Sequence, residues 1–352
     1  MRHAAITGWG MAVPERVLTN ADLERMVETS DEWIVSRTGI KERRVVGPGD
    51  STTSLATGAS RQALERAGLT AEDLDLIIVA TYTPDQFLVA QACLLQGQLG
   101  GTAAAFDVGA ACSGFVYALS VGTQFVRSGC YERVLVVGAD TITRLIDYTD
   151  RKTCVLFGDG AGAVVLEPTD EPRGLLSTVL GADGAGSEHL FIPGWATYAP
   201  ESAVLLQDGG NRPGVRMNGN EVFRFAVRVM GESAAEAVER AGLSFADVDM
   251  MIPHQANLRI IDAAARQLDL PRDKVWVNVD RYGNTSAASI PIALTEAEAA
   301  GKLEEGDNLV FVAFGGGLSW AAGVVRWGTE GVCRRGADLA VAAGDRADGR
   351  SA

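Results

Sequence analysis

Four short segments carry side chains whose types suit covalent acyl chemistry. Cys112 follows a stretch in which Ala104 to Val108 reads as a strand and Gly109 to Ala111 as a tight turn, and it precedes a helical pattern from Ser113 to Val126. That order places a thiol at a strand-to-helix turn, where the partial positive charge of a helix N-terminus is expected to lower its pKa and favour thiolate. His254 lies in Pro253 to Arg259 (PHQANLR), just past an apolar run, and strand ends in α/β proteins face ligand crevices. Asn284 sits in Gly283 to Ser289 (GNTSAAS), and Gly315 to Gly317 could present backbone N–H groups to an anion. Taken singly, each has a plainer reading: a buried structural thiol, a satisfied core histidine, a turn asparagine and a turn. Together they make a nucleophile, two neutral hydrogen-bond donors and an oxyanion site, which is the equipment of thioester chemistry.

The elements that must position these groups are repeated. Glu65 to Ile78 (ERAGLTAEDLDLII) returns at Glu239 to Ile252 (ERAGLSFADVDMMI), with eight of fourteen positions identical at an offset of 174. Val134 to Ala139 and Asn308 to Ala313 keep that offset; Ala161 to Leu166 and Ala321 to Arg326 match at 160, as a shorter connector would give. Each copy reads as helix, turn, buried strand, helix, strand, strand, with Ser60 to Ala67, Leu74 to Ala80, Phe115 to Val126 and Val134 to Gly138 as the elements of the first. Val275 to Val279 reads as a further strand. Two such α/β halves, expected at 1–173 and 174–328, would stack into a layered αβαβα body, with 329–352 as a mobile tail. By the 174 offset His254 corresponds to Ala80, and Cys112 to Ser286, so the cysteine and GNTSAAS turns could face each other. The Gly- and Pro-containing stretch Asp183 to Pro213 has the place of a substrate-tunnel wall.

Composition narrows the alternatives. The chain has 352 residues, 47% hydrophobic and 22% charged, with a net charge of −14 and no run of five like charges, which argues against a nucleic-acid surface. No apolar run approaches the length of a membrane span and no export signal is evident, so a cytoplasmic protein is expected. Five cysteines without CxxC spacing and three histidines suggest neither a disulfide framework nor a metal centre; Cys93, Cys130, Cys154 and Cys333 are expected to be buried structural thiols. Gly158 to Gly162 (GDGAG) lacks the spacing and the lysine of a nucleotide phosphate loop. Papain-like hydrolases also use Cys, His and Asn, but their local motifs and this duplicated pattern do not coincide.

Thr29 to Ile40 (TSDEWIVSRTGI), Ala110 to Phe115 (AACSGF), Phe157 to Ala163 (FGDGAGA), PHQANLR, GNTSAAS and Phe314 to Trp320 (FGGGLSW) give the chain, from about Ala4 to Trp327, a resemblance to 3-oxoacyl-ACP synthase III, a thiolase-fold condensing enzyme. The resemblance implies that Cys112 takes an acyl group from acyl-CoA, and that malonyl-ACP then loses CO2 while His254 and Asn284 hydrogen-bond its thioester oxygen. It places the oxyanion between the backbone N–H groups of Cys112 and Gly316, and Phe314 as a shield beside the thiol. Trp33 and Arg151 would clamp the adenine, and an indole face with a planar guanidinium can do so physically. Arg37, Thr38, Gly219, Phe223, Ala256 and Asn257 would line the CoA and pantetheine path. No separate cofactor or metal is implied; acyl-CoA and an acyl carrier protein are the partners, and a homodimer is the expected assembly.

Sister enzymes differ at named positions. Thiolases need a second cysteine near the final Gly-rich turn, elongating synthases a second histidine where Asn284 stands, and plant-type polyketide synthases lack TSDEWI and PHQANLR. The expectation is therefore an initiating acyltransferase of type II fatty-acid synthesis, with a starter-unit ketosynthase of a secondary-metabolite pathway as the alternative and a non-catalytic carrier-binding homologue as a more distant one. A basic patch must serve an acidic carrier; Arg224 and Arg228 on one helix face, and Arg259 and Arg266 on another, are its candidates. Leu88 aligns with the residue that closes the acyl pocket across the dimer, Phe87 taking that part if the register slips by one.

Overall fold

The computed structural model describes residues 2–193, 214–329 and 331–332. Its first half contains β1 (His3–Ala12), β2 (Val17–Thr19), α1 (Asn20–Glu24), α2 (Asp31–Thr38), β3 (Glu42–Arg44), α3 (Thr52–Ala67), β4 (Leu76–Ala80), α4 (Gln91–Leu99), β5 (Ala104–Val108), α5 (Gly114–Ser128), β6 (Val134–Asp140) and β7 (Gly160–Thr169). The second contains β8 (Gly174–Ala182), β9 (Leu190–Phe191), β10 (Arg216–Met217), α6 (Gly219–Arg240), β11 (Met250–Pro253), α7 (Leu258–Gln267), α8 (Val279–Tyr282), α9 (Ser289–Ala299), β12 (Asn308–Gly315) and β13 (Ser319–Arg326).

Nine strands join in the order β11-β12-β13-β8-β1-β7-β6-β4-β5. The order runs outward on each side of a single parallel contact, Ala4 with Gly174, and the antiparallel hairpin β12–β13 mirrors the antiparallel pair β6–β7. The fifth strand of the second half is cut short. Where Val275 to Val279 reads as a strand, only Val275 bridges to Met251, and the chain turns into α8 from Val279.

The strands lack polar–apolar alternation because both sheet faces are covered. In β4, Leu76, Ile78 and Ala80 pack with Phe115, Leu119, Ile290 and Leu294 of α5 and α9, while Ile77 and Val79 pack with Ala59, Ala63 and Leu95 of α3 and α4. In β12, Leu309, Phe311 and Ala313 face that same α5–α9 layer, and Val310, Val312 and Phe314 face Ala226, Met230 and Ile261 of α6 and α7. The result is five layers, α3–α4, sheet, α5–α9, sheet, α6–α7, with two helix N-termini brought together in the middle one.

Of the Asp183 to Pro213 stretch, the described part forms a 3-10 turn (Gly184–His189) and β9, which pairs with β10; 194–213 lie outside the described residues. Val332 bridges to Thr169 at the end of β7, and 333–352, including Cys333, lie outside. Contrary to the expectation of buried thiols, Cys93 and Cys130 are exposed, on α4 and in the turn after α5, whereas Cys154 is buried. Among the described residues no helix is long and apolar enough to cross a membrane, and no group of three His, Cys, Asp or Glu could hold a metal ion.

Candidate active site

Cys112 is the middle residue of a 3-10 turn, Ala111–Ser113, that leads from β5 into α5; Ala111 holds a left-handed φ of 45°. The turn is pinned to the β12–β13 hairpin. Ser113 donates to Ala110 O at 2.6 Å and its Oγ lies 2.8 Å from Ser319 Oγ, while a Cβ at Gly315 would lie 2.6 Å from Cys112 N, so only glycine lets the end of β12 rest on the Cys112 backbone. The thiol is buried, 3.5 Å from Ser286 Oγ and beside the Asn284 amide. Burial pushes its pKa up to about 12 against the lowering by Ser286 and Asn284. The direction is opposite to the expected lowering: the helix start is in place, and the loss of solvent outweighs the hydrogen bonds that favour the thiolate.

His254 follows β11, and its backbone N–H bonds Val312 O at 2.8 Å. The turn behind it is locked by Gln255, whose side chain donates to Pro253 O and Trp276 O and accepts from Asn278 N and Val279 N. His254 Nδ1 lies 2.6 Å from Ser289 Oγ, which already accepts the Gln255 N–H. The assignment that satisfies both groups has Ser289 donating to Nδ1, leaving Nε2 as the N–H donor. Among the described residues Nε2 is buried with no protein partner, and burial pushes the imidazole down to about 3, so it is neutral at physiological pH. Asn284 is held by Asn284 N to Leu156 O at 2.8 Å and by its Oδ1, which accepts Ser286 N at 2.8 Å; the carbonyl end being used, the NH2 end is free to donate.

Cys112, His254, Asn284 and Phe314 share one cavity of about 800 Å³. The Phe314 ring stands edge-on to His254 with centroids 5.4 Å apart. Trp33, Arg37, Thr38, Gly219, Phe223, Ala256 and Asn257 line the same cavity, with Leu190 and Met217 closing it from β9 and β10. Its buried floor carries the uncharged side chains of Cys112, His254 and Asn284. Among the described residues its wall carries four basic side chains, Arg37, Lys152, Arg224 and Arg259, all exposed, and no acidic one, in a chain of net charge −14. An anionic ligand carrying a thioester fits that polarity.

Family models named 3-Oxoacyl-[acyl-carrier-protein (ACP)] synthase III match residues 106–184, and the C-terminal model of the same name matches 238–327. A curated beta-ketoacyl-[acyl-carrier-protein] synthase III of Roseiflexus castenholzii is 59% identical over 325 residues, 92% of this chain and 98% of that protein. The chain belongs to the 3-oxoacyl-ACP synthase III family. A solved structure of the family from Thermus thermophilus superposes with a TM-score of 0.86 at 49% identity, covering 92% and 99% of the two chains. The priming β-ketosynthase of the R1128 polyketide pathway follows at 0.87 and 37%, covering 92% and 96%. The protein is thus a thiolase-fold condensing acyltransferase of fatty-acid synthesis.

In this synthase not every expected contact forms within one chain. Arg151 and Arg37 both lie on the Trp33 indole, at 5.1 and 4.6 Å from its centroid, and Arg151 also donates to Glu28 O. A flat base between Trp33 and Arg151 needs about 7 Å, two van der Waals contacts, so the guanidinium has to swing outward to admit it. Gly316 packs against Leu190 and Ala111 in the β12–β13 turn. Leu88, with φ 75°, is fully exposed on the 82–90 loop beside exposed Phe87 and Val89, away from the cavity. Arg224 pairs with Glu221 at 2.7 Å and Arg228 with Glu232 at 3.1 Å, Arg259 stacks on Phe223, and Arg266 is exposed further along α7. Sequence reasoning missed Ser289, Lys152 and the buried Asp140; for Asp140 the signal was available, a lone carboxylate ending the apolar strand VLVVGAD.

Proposed function

We propose that this synthase divides its reaction between the two halves of the chain, 1–173 and 174–328. Cys112 attacks the thioester carbonyl of an acyl-CoA and releases CoA. Malonyl-ACP then enters, and as its carboxylate leaves as CO2 the electron pair passes into a thioester enolate whose oxygen is held by His254 Nε2–H and the Asn284 amide. The enolate carbon attacks the acyl-cysteine, with Cys112 N–H and Gly316 N–H on the developing oxyanion, and Cys112 departs. Each donor of this kind is worth roughly 3 kcal/mol. A neutral imidazole can play this part, since with Nδ1 engaged by Ser289 its Nε2 keeps the N–H that donates.

The observation that carries this reading is the shared cavity, with Cys112, His254 and Asn284 on a neutral floor below a wall whose charged side chains, among the described residues, are all basic. Trp33, with Arg151 swung out, is the adenine seat, and Arg224, Arg259 and Arg266 form the carrier-docking face. The exposed apolar tip around Phe87 and Leu88 supports a homodimer in which that tip closes the partner's acyl pocket. A cytoplasmic location follows from the carrier and CoA substrates. Mass spectrometry of the enzyme mixed with acetyl-CoA tests the core of the proposal: an acyl adduct on Cys112 is expected, and an unmodified Cys112 in active enzyme would overturn it.

A further inference from the structure

Asp140 is a buried carboxylate that the reaction above does not use. It ends β6, and no ion pair holds it among the described residues; instead Oδ1 accepts Thr81 Oγ1 at 3.0 Å, Tyr82 N at 2.9 Å and Thr83 Oγ1 at 2.9 Å, and Oδ2 accepts Ala287 N at 3.3 Å. A buried carboxylate held only by neutral donors is expensive to keep. Ser286 directly precedes Ala287, whose N–H reaches Oδ2, and its hydroxyl favours the ionised form of this carboxylate. On its other side Ser286 Oγ accepts the Cys112 thiol at 3.5 Å, so a hydroxyl turned toward the carboxylate joins the two. A Cβ at Gly138 would lie 2.3 Å from Ala287 O, so the glycine two residues before Asp140 is what lets the Ser286 turn close on β6.

Taking Cys112 as the nucleophile, as proposed above, we infer that Ser286 and Asp140 form a proton relay behind it, with Asp140 a positioning residue that acts through Ser286. During acylation the Cys112 proton passes to Ser286 Oγ as the Ser286 proton passes to Asp140 Oδ2. The thiolate bonds to the acyl carbon, the carbon–sulfur bond to CoA breaks, and the CoA thiolate takes a proton from water. During condensation the Cys112 sulfur leaves as thiolate and recovers the proton from Asp140 along the same path. One proton is taken from solvent per turnover, matching the carboxylate lost as CO2. The thiol and the carboxylate thereby share a single negative charge, which a buried site tolerates better than two.

The other titratable groups facing the pair do not substitute. Tyr82 reaches the Ala111 backbone from the 82–90 loop with its phenol pKa raised by burial, and His254, across from the thiol, has Nδ1 occupied by Ser289. Burial raises Asp140 above the ordinary carboxylate range and Cys112 to about 12, so the internal transfer is pH-independent between the two.

The test is the single-turnover rate of Cys112 acylation by acetyl-CoA, read by mass spectrometry across neutral and mildly alkaline pH, in the full chain and in Ser286→Ala and Asp140→Asn. Alanine is acceptable at position 286 because Ala111, at the matching place in the other half, holds a similar left-handed φ, 45° against 53°. Wild type should be flat with pH. Both variants should be about a hundredfold slower at neutral pH, and their rates should climb about tenfold per pH unit, because the thiol must then lose its proton to solvent. Slower variants with a flat profile would overturn the relay alone; an active wild type that never acylates Cys112 would overturn the nucleophile assignment and the relay with it.

Discussion

Two helix starts meet at the floor of the cavity on the same plan. The 3-10 turn Ala111–Ser113 leads into α5 and the 3-10 turn Ser286–Ala288 into α9, and the first residue of each, Ala111 and Ser286, is left-handed. The register between them is 175 rather than the 174 of the preceding strands, so Cys112 matches Ala287 in position while facing Ser286 in space. One turn delivers the sulfur of Cys112, the proposed nucleophile. The other delivers no nucleophile but is ringed by groups that hold or donate: Asn284 before it, Ser286 at its start, Ser289 after it on His254. The strand ends repeat the contrast, since β4 ends in Ala80 where β11 runs on to His254. A duplicated fold thus supplies two converging helix N-termini without further design, and in the proposed mechanism a few substitutions on one side separate covalent work from enolate stabilisation.

Removing the sulfur breaks the comparison most severely. Cys112→Ala should abolish acyl transfer and 3-oxoacyl-ACP formation while malonyl-ACP decarboxylation persists, because the opposite turn is intact; CO2 release measured apart from product checks this. Loss of decarboxylation in a folded variant would mean the two turns do not divide the work. The converse variants, His254→Ala and Asn284→Ala, should leave Cys112 acylation near the wild-type rate and cut decarboxylation by about a hundredfold or more each. A stoichiometric acyl-enzyme without product is the expected end state. If His254→Ala instead stalls acylation, the imidazole serves the thiol and the division drawn above is wrong.

How far the sequence reveals this division depends on what kind of signal each part leaves. The layers were legible because strands covered on both faces must be apolar throughout, and the repeat carried that pattern twice. The strand expected at Val275 to Val279 failed because Pro271 to Lys274 and α8 leave the chain only one bridge's length beside Met251. Cys112, His254 and Asn284 stood out by type and by the motifs around them. The raised thiol pKa did not, because burial is a property of the assembled layers, and neither did the hydrogen bond from Ala287 N to Asp140, which joins residues 147 apart through an approach that only Gly138 permits.

A smaller effect sharpens the contrast between the neutral floor and the basic wall. Arg259 stacks on Phe223 at the mouth, without an acidic partner among the described ion pairs. Arg259→Glu should raise KM for malonyl-ACP by about tenfold, the scale of one reversed charge contact of 1 to 2 kcal/mol, with KM for acyl-CoA changing much less. Steady-state kinetics varying each substrate separately would show it. Equal effects on both would assign Arg259 to the CoA path and remove it from the carrier-docking face.

The smallest expected effect concerns a region that neither turn provides. Within one chain Leu88 stands fully exposed on a left-handed backbone, with Phe87 and Val89 exposed at its sides. If this tip closes the acyl pocket of a second copy, an aliphatic residue there leaves more room than an aromatic ring, and each extra CH2 buried favours a primer by about 0.8 kcal/mol, or about fourfold. Butyryl- and isobutyryl-CoA should then compete well with acetyl-CoA in wild type, and Leu88→Phe should shift kcat/KM back toward acetyl-CoA by a few such steps while acetylation of Cys112 is unaffected. Phe87→Leu is the companion variant. Should it broaden the primer range while Leu88→Phe changes nothing, the register slips by one and Phe87 is the closing residue; should neither variant alter primer preference, the pocket is closed within the chain and its acyl end, like its floor, belongs to the two turns.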